Sequence, residues 1–146
     1  MEESINLYEK ILREFKIKKQ DISTYSPLTL AYIGDGIYEI VIRSLVVGHG
    51  NGQVNKLHKK SSSLVKAETQ SKIIKLLMDE LTEEEVHIFK RGRNAHSFTS
   101  AKNASSADYH MATGFEAVMG YLYMEGRMQR IFELVERGLE KIEVVW

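Results

Sequence analysis

The sequence predicts an all-α fold, organised as a single-domain bundle of five to seven helices. Three observations support this prediction. The 146 residues include one proline, apolar residues recur at three- and four-residue steps, and clusters of β-branched residues are few. This length is typical of one domain, which we assign to residues 1–146. A chain of this size buries roughly 70% of its unfolded surface, so it needs no disulfide to hold a core.

The first two helices follow from apolar spacing and from end signals. An amphipathic helix is predicted by residues at helical spacing, namely Ile5, Tyr8, Ile11, Leu12 and Phe15. A second helix begins at Pro27, because Ser26 suits an N-cap and proline suits the first helical position. It continues to about Val47 and ends at residues 48–52, where three glycines favour a loop.

The middle of the chain is predicted to hold one long helix and one short one. Apolar residues on a common stripe indicate a continuous helix from about Val54 to Met78. Thr82 followed by Glu85 is a capping-box pattern, with a hydroxyl at the cap and a glutamate three residues later. It predicts a short helix that ends near Phe89.

The last third combines a polar connection with two helices. Residues 91–107 are rich in Gly, Ser, Asn and Ala and have little apolar periodicity, so we interpret them as a functional loop. Helical spacing returns from about Ser106 to Met124, and a final helix is predicted from about Met128 to Ile142.

The composition excludes several classes of protein. The absence of cysteine excludes disulfides, thiolate metal sites and a cysteine nucleophile. No apolar run approaches the roughly 20 residues that a membrane span needs. The first ten residues are acidic and lack the apolar core of a signal peptide. We therefore expect a cytoplasmic protein without a membrane partner.

Charge is balanced in total but uneven along the chain. The 20 basic and 20 acidic residues give a formal net charge of zero, which argues weakly against a general nucleic-acid binder. Residues 40–67 and 86–107, however, contain no Asp or Glu and several Lys and Arg. These two segments either form one positive surface for phosphate groups or lie on separate solvated faces.

Two carboxylates occur among apolar neighbours. At helical spacing Asp35 lies in an apolar stripe, between Gly34 and Gly36. A glycine inside a helix costs roughly 0.5–1 kcal/mol relative to alanine, so this pair suggests a close approach to the backbone. The helical neighbours of Glu116 are likewise mainly apolar or small.

Each carboxylate alone is explained equally well by an Arg or Lys partner on a neighbouring helix, because an unpaired buried charge is costly. Together the two carboxylates suggest a metal site. Two carboxylates between facing helices repel each other unless a divalent cation lies between them, and Mg²⁺ prefers such oxygen ligands. A magnesium site beside a basic surface is typical of enzymes that hydrolyse phosphodiesters.

Two further acids have simpler explanations. Glu39 could join the site, but an i,i+4 ion pair with Arg43 is the favoured interpretation. Asp108 lies near the start of a predicted helix, where it interacts favourably with the helix dipole.

Four segments together carry a resemblance to a known family. They are LAYIGDGIYE (30–39), NKLHKKSSSLVKAETQ (55–70), FKRGRNAHS (89–97) and TGFEAVMGYLY (113–123). In this order the chain resembles the catalytic domain of the ribonuclease III family, in the short form that lacks a double-stranded-RNA-binding domain. The resemblance implies an all-α endonuclease that acts as a homodimer. It also implies magnesium-dependent cleavage of double-stranded RNA, with one strand cut per protomer.

The resemblance also assigns residues. Asp35 matches the metal-binding aspartate of the family and Glu116 its metal-binding glutamate, so the resemblance implies that both are catalytic. For the short form, the implied substrate is a double-helical stem of large-subunit ribosomal RNA precursor. Products would carry 5′-phosphate and 3′-hydroxyl ends. Residues implied to contact RNA are Lys56, Lys59, Lys60, Lys90, Arg91, Arg93, Asn94 and Lys102.

The set of acids is sparser than in full-length family members. That pattern has two glutamates before the aspartate, where this chain has Leu28 and Ala31, and an aspartate where it has Thr113. Two carboxylates suggest one firmly held Mg²⁺, with water, phosphate oxygens or the Thr113 hydroxyl completing its ligands. The thinned set leaves one alternative from another class, a catalytically silent domain that binds RNA, in a ribosomal particle for example. A weaker alternative is a helical dimerisation module without an RNA role.

The helix from Pro27 to Val47 gives a physical reason to expect dimerisation. It is apolar on nearly all sides, so it is either central to the monomer or shared with a second copy.

Overall fold

The computed structural model describes residues 6–95 and 106–146. Over these residues the chain forms seven α-helices and no strand, which confirms the all-α prediction. The helices are α1 (Leu7–Glu14), α2 (Pro27–Gly48), α3 (Val54–Val65), α4 (Ala67–Leu77), α5 (Glu83–Asn94), α6 (Ser106–Met124) and α7 (Met128–Lys141). Short 3₁₀ turns precede α2 at Ile22–Thr24 and follow α4 at Met78–Glu80.

Helix α6 is the centre of the bundle, with α2, α4 and α5 packed around it. From Ala112 to Met124 it is apolar or small on nearly every side, and most of its side chains are buried. A helix without a polar face is stable only when neighbours cover it on several sides. Glu116 is therefore carried on the most enclosed helix of the fold.

The predicted helix starts are confirmed in atomic detail. The Ser26 hydroxyl accepts a hydrogen bond from the Thr29 amide at 3.2 Å, and Pro27 occupies the first helical position of α2. At α5 the Thr82 hydroxyl accepts from the Glu85 amide, and the Glu85 carboxylate accepts from the Thr82 amide. Each contact satisfies an amide that would otherwise lack a partner.

The predicted single helix from Val54 to Met78 is wrong, because the chain forms two helices with a break at Lys66. The Lys66 backbone is extended, with ψ of 154°. The helix α3 packs on α2, whereas α4 packs on α6 and α7, and one straight helix cannot follow both directions.

The carbonyl groups that the break frees all have side-chain partners. Those of Ser63, Leu64 and Val65 accept from the Thr69 hydroxyl, the Tyr38 hydroxyl and the Gln70 amide, respectively. Helix ends are stable when such unpaired carbonyls have hydrogen-bond partners, so these side chains stabilise the break between α3 and α4.

The loop predicted for residues 91–107 is wrong at its start, because helix α5 continues to Asn94. Helix α6 begins at Ser106, where helical spacing was predicted to return. The extra turn of α5 is held by close packing, since a Cβ atom on Gly92 would lie 2.9 Å from the Gly114 Cα. Residues 96–105, including Lys102, lie outside the described residues. The predicted bounds of α6 and the start of α7 are confirmed.

A buried ion pair joins α5 to α7. The Glu85 side chain is fully buried, and its two carboxylate oxygens accept from Nε and Nη2 of Arg130, each at 2.8 Å. Arg130 also donates to the Glu80 carbonyl at 2.8 Å. This two-pronged geometry is the strongest form of an arginine–carboxylate contact.

No helix within residues 6–95 and 106–146 is long and apolar enough to span a lipid bilayer.

Candidate active site at the crossing of two helices

The helices α2 and α6 cross with their backbones in contact. A Cβ atom on Gly34 would lie 1.7 Å from the Glu116 carbonyl oxygen, and one on Gly120 would lie 1.9 Å from the Leu30 carbonyl oxygen. Both positions therefore require glycine. The close approach that the sequence suggested is present at Gly34, whereas a Cβ atom on Gly36 would meet nothing within 4 Å.

The crossing brings the two predicted carboxylates together. The Asp35 and Glu116 side chains lie within hydrogen-bonding reach of each other. Asp35 itself is exposed, so its expected burial in an apolar stripe is wrong, while Glu116 is half-buried. The pair thus has one carboxylate facing solvent and one set into the bundle.

The surroundings of Glu116 disfavour its negative charge. Burial raises its pKa most, the nearby Asp35 charge and hydrogen bond raise it further, and a hydrogen bond from Gln70 acts in the opposite direction, giving a pKa of about 8. Among the described residues neither carboxylate forms an ion pair with a Lys or Arg side chain. The simpler explanation, an Arg or Lys partner from a neighbouring helix, therefore has no support there.

Two adjacent carboxylates without a cation of their own fit a divalent metal ion. Carboxylate oxygens are the ligands that Mg²⁺ prefers, and Mg²⁺ commonly takes only one or two of them and keeps several waters. No group of three or more His, Asp or Glu side chains suited to a metal ion occurs in the described part of the chain. The donor set there is consistent with the sparse one expected from the sequence.

The other acids and the threonine are engaged elsewhere. Glu39 pairs with Arg43 at 3.2 Å, which confirms the favoured interpretation. Asp108 lies in the first turn of α6, as predicted. The Thr113 hydroxyl donates to the Tyr109 carbonyl one turn earlier at 2.9 Å.

Sequence reasoning missed Gln70, which contacts the pair. Its Nε2 lies 3.3 Å from Oε2 of Glu116 and 2.8 Å from the Val65 carbonyl oxygen, and the residue is only 2% exposed. One signal was available in the sequence: Gln70 is a polar residue next to Ser71, which lies on the apolar stripe of the helix predicted from about Val54 to Met78. With α3 and α4 interpreted as one helix, that position gave no hint of a contact with α6.

Apart from Lys102, which is outside the described residues, the predicted RNA-contacting residues lie on two separate helices. Lys56 and Lys59 on α3 and Lys90 on α5 are exposed to solvent. The helix α3 packs on α2 and α4, while α5 packs on α6 and α2, so each basic segment adjoins a helix that carries a site residue.

Three other predicted RNA-contacting residues lie against residues of the same chain. Lys60 donates to the Val145 carbonyl, and its ammonium lies 5.5 Å from the centre of the Trp146 ring. Arg93 lies over the Phe89 ring and donates to the Asn94 side chain at 3.1 Å. Arg91 lines a surface cleft with Lys19 and Glu84, among other residues.

Comparison with known proteins defines the class. Residues 28–127 match the family model described as "Ribonuclease III domain". The matched range includes α2 to α6 and both carboxylates of the pair. The chain is therefore an endoribonuclease of the ribonuclease III type, an enzyme class that cleaves double-stranded RNA.

Curated relatives narrow the class. The chain is 52% identical over 119 residues to the Mini-ribonuclease 3 of Clostridium tetani, covering 81% of this chain and 79% of that protein. It is 42% identical over 125 residues to the Mini-ribonuclease 3 of Streptococcus pneumoniae, covering 84% and 98%. The chain belongs to the Mini-ribonuclease III group of the ribonuclease III family.

A solved structure agrees with the fold. A crystal structure of a protein from Fusobacterium nucleatum is 32% identical in sequence and superimposes with a TM-score of 0.75. The match covers 81% of this chain and 96% of that one, so nearly the whole neighbour has the same helical arrangement.

Proposed function

We propose that this protein hydrolyses double-stranded RNA in a magnesium-dependent reaction at the Asp35–Glu116 pair. The observation that carries the proposal is that these two carboxyl groups lie close together where α2 meets α6, and that neither forms an ion pair with a Lys or Arg side chain within the described residues. The pair lies inside the range that matches a ribonuclease III domain.

Each carboxylate has a distinct part in the proposed reaction. Asp35 and Glu116 would hold Mg²⁺ through their carboxylate oxygens, and the ion would supply an activated water and offset charge on the phosphoryl oxygens. Asp35, being exposed, reaches the side from which RNA approaches. Glu116 lies on α6 at its contact with α2, where its backbone carbonyl meets Gly34.

RNA binding is assigned to the eight residues named from the sequence, of which seven lie on α3 and α5 and Lys102 lies outside the described residues. Duplex RNA is recognised mainly through its shape, phosphates and 2′-hydroxyl groups, so weak sequence preference follows. Lys56, Lys59 and Lys90 are exposed and fit phosphate contacts. Binding through such contacts weakens steeply as salt increases.

A homodimer is proposed because α2 keeps an apolar face exposed. Tyr32 is 82% exposed, Ile40 57% and Val47 61%, although most other apolar residues of this helix are buried or half-buried. A two-fold dimer through this face would present two sites to the opposite strands of one duplex. Light scattering should therefore give twice the 16.7 kDa mass, and Tyr32→Glu should give a monomer. Leu76→Glu, at a 43% exposed position on α4, is the control.

The proposed substrate is a double-helical stem of large-subunit ribosomal RNA precursor, and the proposed location is accordingly the cytoplasm. This finer assignment rests on membership of the Mini-ribonuclease III group, whose relatives carry that name. The proposed domain comprises residues 1–146.

The test compares a long RNA duplex with its separated strands, with and without Mg²⁺. The proposal predicts cleavage of the duplex alone, only with the metal, to products with 5′-phosphate and 3′-hydroxyl ends. The alternative of a silent RNA-binding domain predicts salt-sensitive duplex binding without cleavage in any divalent metal. That second result would overturn the proposal.

A further inference from the structure

We infer that Gln70 is a positioning residue of the active site, which holds the Glu116 carboxylate in the orientation that binds metal. The inference rests on the function proposed above and adds to it a residue from a third helix. It follows from three features of Gln70: its burial, its two hydrogen bonds and its place next to the break between α3 and α4.

The first feature is the fixed orientation of the amide. Nε2 lies 2.8 Å from the Val65 carbonyl oxygen, which only accepts hydrogen bonds. Nitrogen rather than oxygen must therefore face Val65, which removes the usual ambiguity of a glutamine side chain. The second hydrogen of the same nitrogen is then directed to Oε2 of Glu116, at 3.3 Å.

The second feature is the rigidity of the anchor. Val65 is the last residue of α3, and its carbonyl is free because the helix ends at Lys66. The preceding carbonyl, that of Leu64, accepts from the buried Tyr38 hydroxyl on α2 at 2.8 Å. The break is thus tied both to the helix that carries Asp35 and, through Gln70, to the helix that carries Glu116.

The third feature is the mismatch between burial and polarity. Gln70 is 2% exposed, and its Oε1 has no hydrogen-bond partner among the described residues. A leucine would fill this volume without burying an unpartnered oxygen, which costs about 1–3 kcal/mol. An amide is reasonable at this buried position if its nitrogen makes a functional hydrogen bond, and that nitrogen contacts the Glu116 carboxylate.

The experiment compares Gln70→Leu and Gln70→Met with the wild-type protein and with Ser71→Ala. Ser71 is the neighbouring residue, 1% exposed, and its hydroxyl has no hydrogen-bond partner among the described residues, so its loss removes no hydrogen bond there. Three quantities are measured: the Mg²⁺ concentration for half-maximal duplex cleavage, the KM for RNA, and Mn²⁺ binding without RNA by electron paramagnetic resonance. Unfolding temperatures without metal identify any variant that fails to fold.

Both Gln70 variants should need about 10- to 100-fold more Mg²⁺ and bind Mn²⁺ correspondingly more weakly, with the KM for RNA unchanged. Ser71→Ala should match the wild type. Unchanged metal affinity in both Gln70 variants would overturn the inference, whether or not they are less stable. If the wild-type protein fails to cut duplex RNA with Mg²⁺, the proposed function fails instead, and Mn²⁺ binding still tests the contact between Gln70 and Glu116.

Discussion

Gly34 and Glu116 meet backbone to backbone where α2 crosses α6: a Cβ atom on Gly34 would lie 1.7 Å from the Glu116 carbonyl oxygen. Because Asp35 follows Gly34 directly, this contact brings its carboxylate beside that of Glu116. The distance between the helices and the geometry of the site are therefore set by the same glycine.

Gly34→Ala should destabilise the protein by about 3 kcal/mol, since a methyl group there has no space unless the helices separate. Gly36→Ala is the matched control, because its Cβ atom meets nothing within 4 Å. It should raise stability by about 0.5–1 kcal/mol, the usual gain of alanine over glycine in a helix. Denaturant unfolding measures both, and equal effects of the two changes would contradict the proposed crossing.

Arg130→Met should destabilise the protein by about 3–5 kcal/mol, because it leaves the fully buried Glu85 carboxylate without its partner. Arg137→Met removes the exposed pair with Glu80 and should cost less than about 1 kcal/mol. Thermal unfolding distinguishes the two. Similar losses would mean that the Glu85–Arg130 contact contributes no more than a surface ion pair.

The helices of this fold follow from local signals in the sequence. Ser26–Pro27 and the capping box at Thr82 mark helix starts, and both are present in the structure. The break at Lys66 could not be predicted in the same way. The carbonyls that it frees are satisfied by Thr69, Tyr38 and Gln70, and the Tyr38 contact depends on how α2 packs.

Within the site, the sequence predicted the carboxylates but not their support. Asp35 and Glu116 were recognisable as acids among apolar residues and as positions of a family motif. Gln70 ends one of the segments that carry the resemblance, but the resemblance assigns it no role, and a glutamine in a helix is ordinarily a solvated residue. Only the packing of α4 against α6 reveals that it contacts Glu116.

The metal-free protein should become less stable as pH rises from about 4.5 to about 8, through the contribution of Glu116. Its pKa of about 8 in the folded state exceeds the ordinary value of 4.5, so the folded state binds more protons over this range. Glu116→Gln should remove this contribution. The check is thermal unfolding in chelator at about pH 5.5 and about pH 8.5, where a pH dependence identical in both proteins would refute the prediction.

Lys59→Glu and Lys90→Glu should each weaken duplex binding, and the slope of affinity against salt should become shallower by about one ion per lost contact. Both lysines are exposed and lie in the acid-free segments. Lys10→Glu on α1 makes the same charge change outside those segments and should have a smaller effect. Equal losses in all three variants would indicate an effect of net charge alone.

The central claim is that Asp35 and Glu116 together form the metal site that cuts RNA. Its most direct test is single-turnover cleavage of a duplex by Asp35→Asn and Glu116→Gln over a range of Mg²⁺ concentrations, with Glu39→Gln as control. The account predicts that both site variants lose cleavage at every concentration while still binding the duplex, and that the control cuts normally. Cleavage by both site variants at near wild-type rates would contradict it.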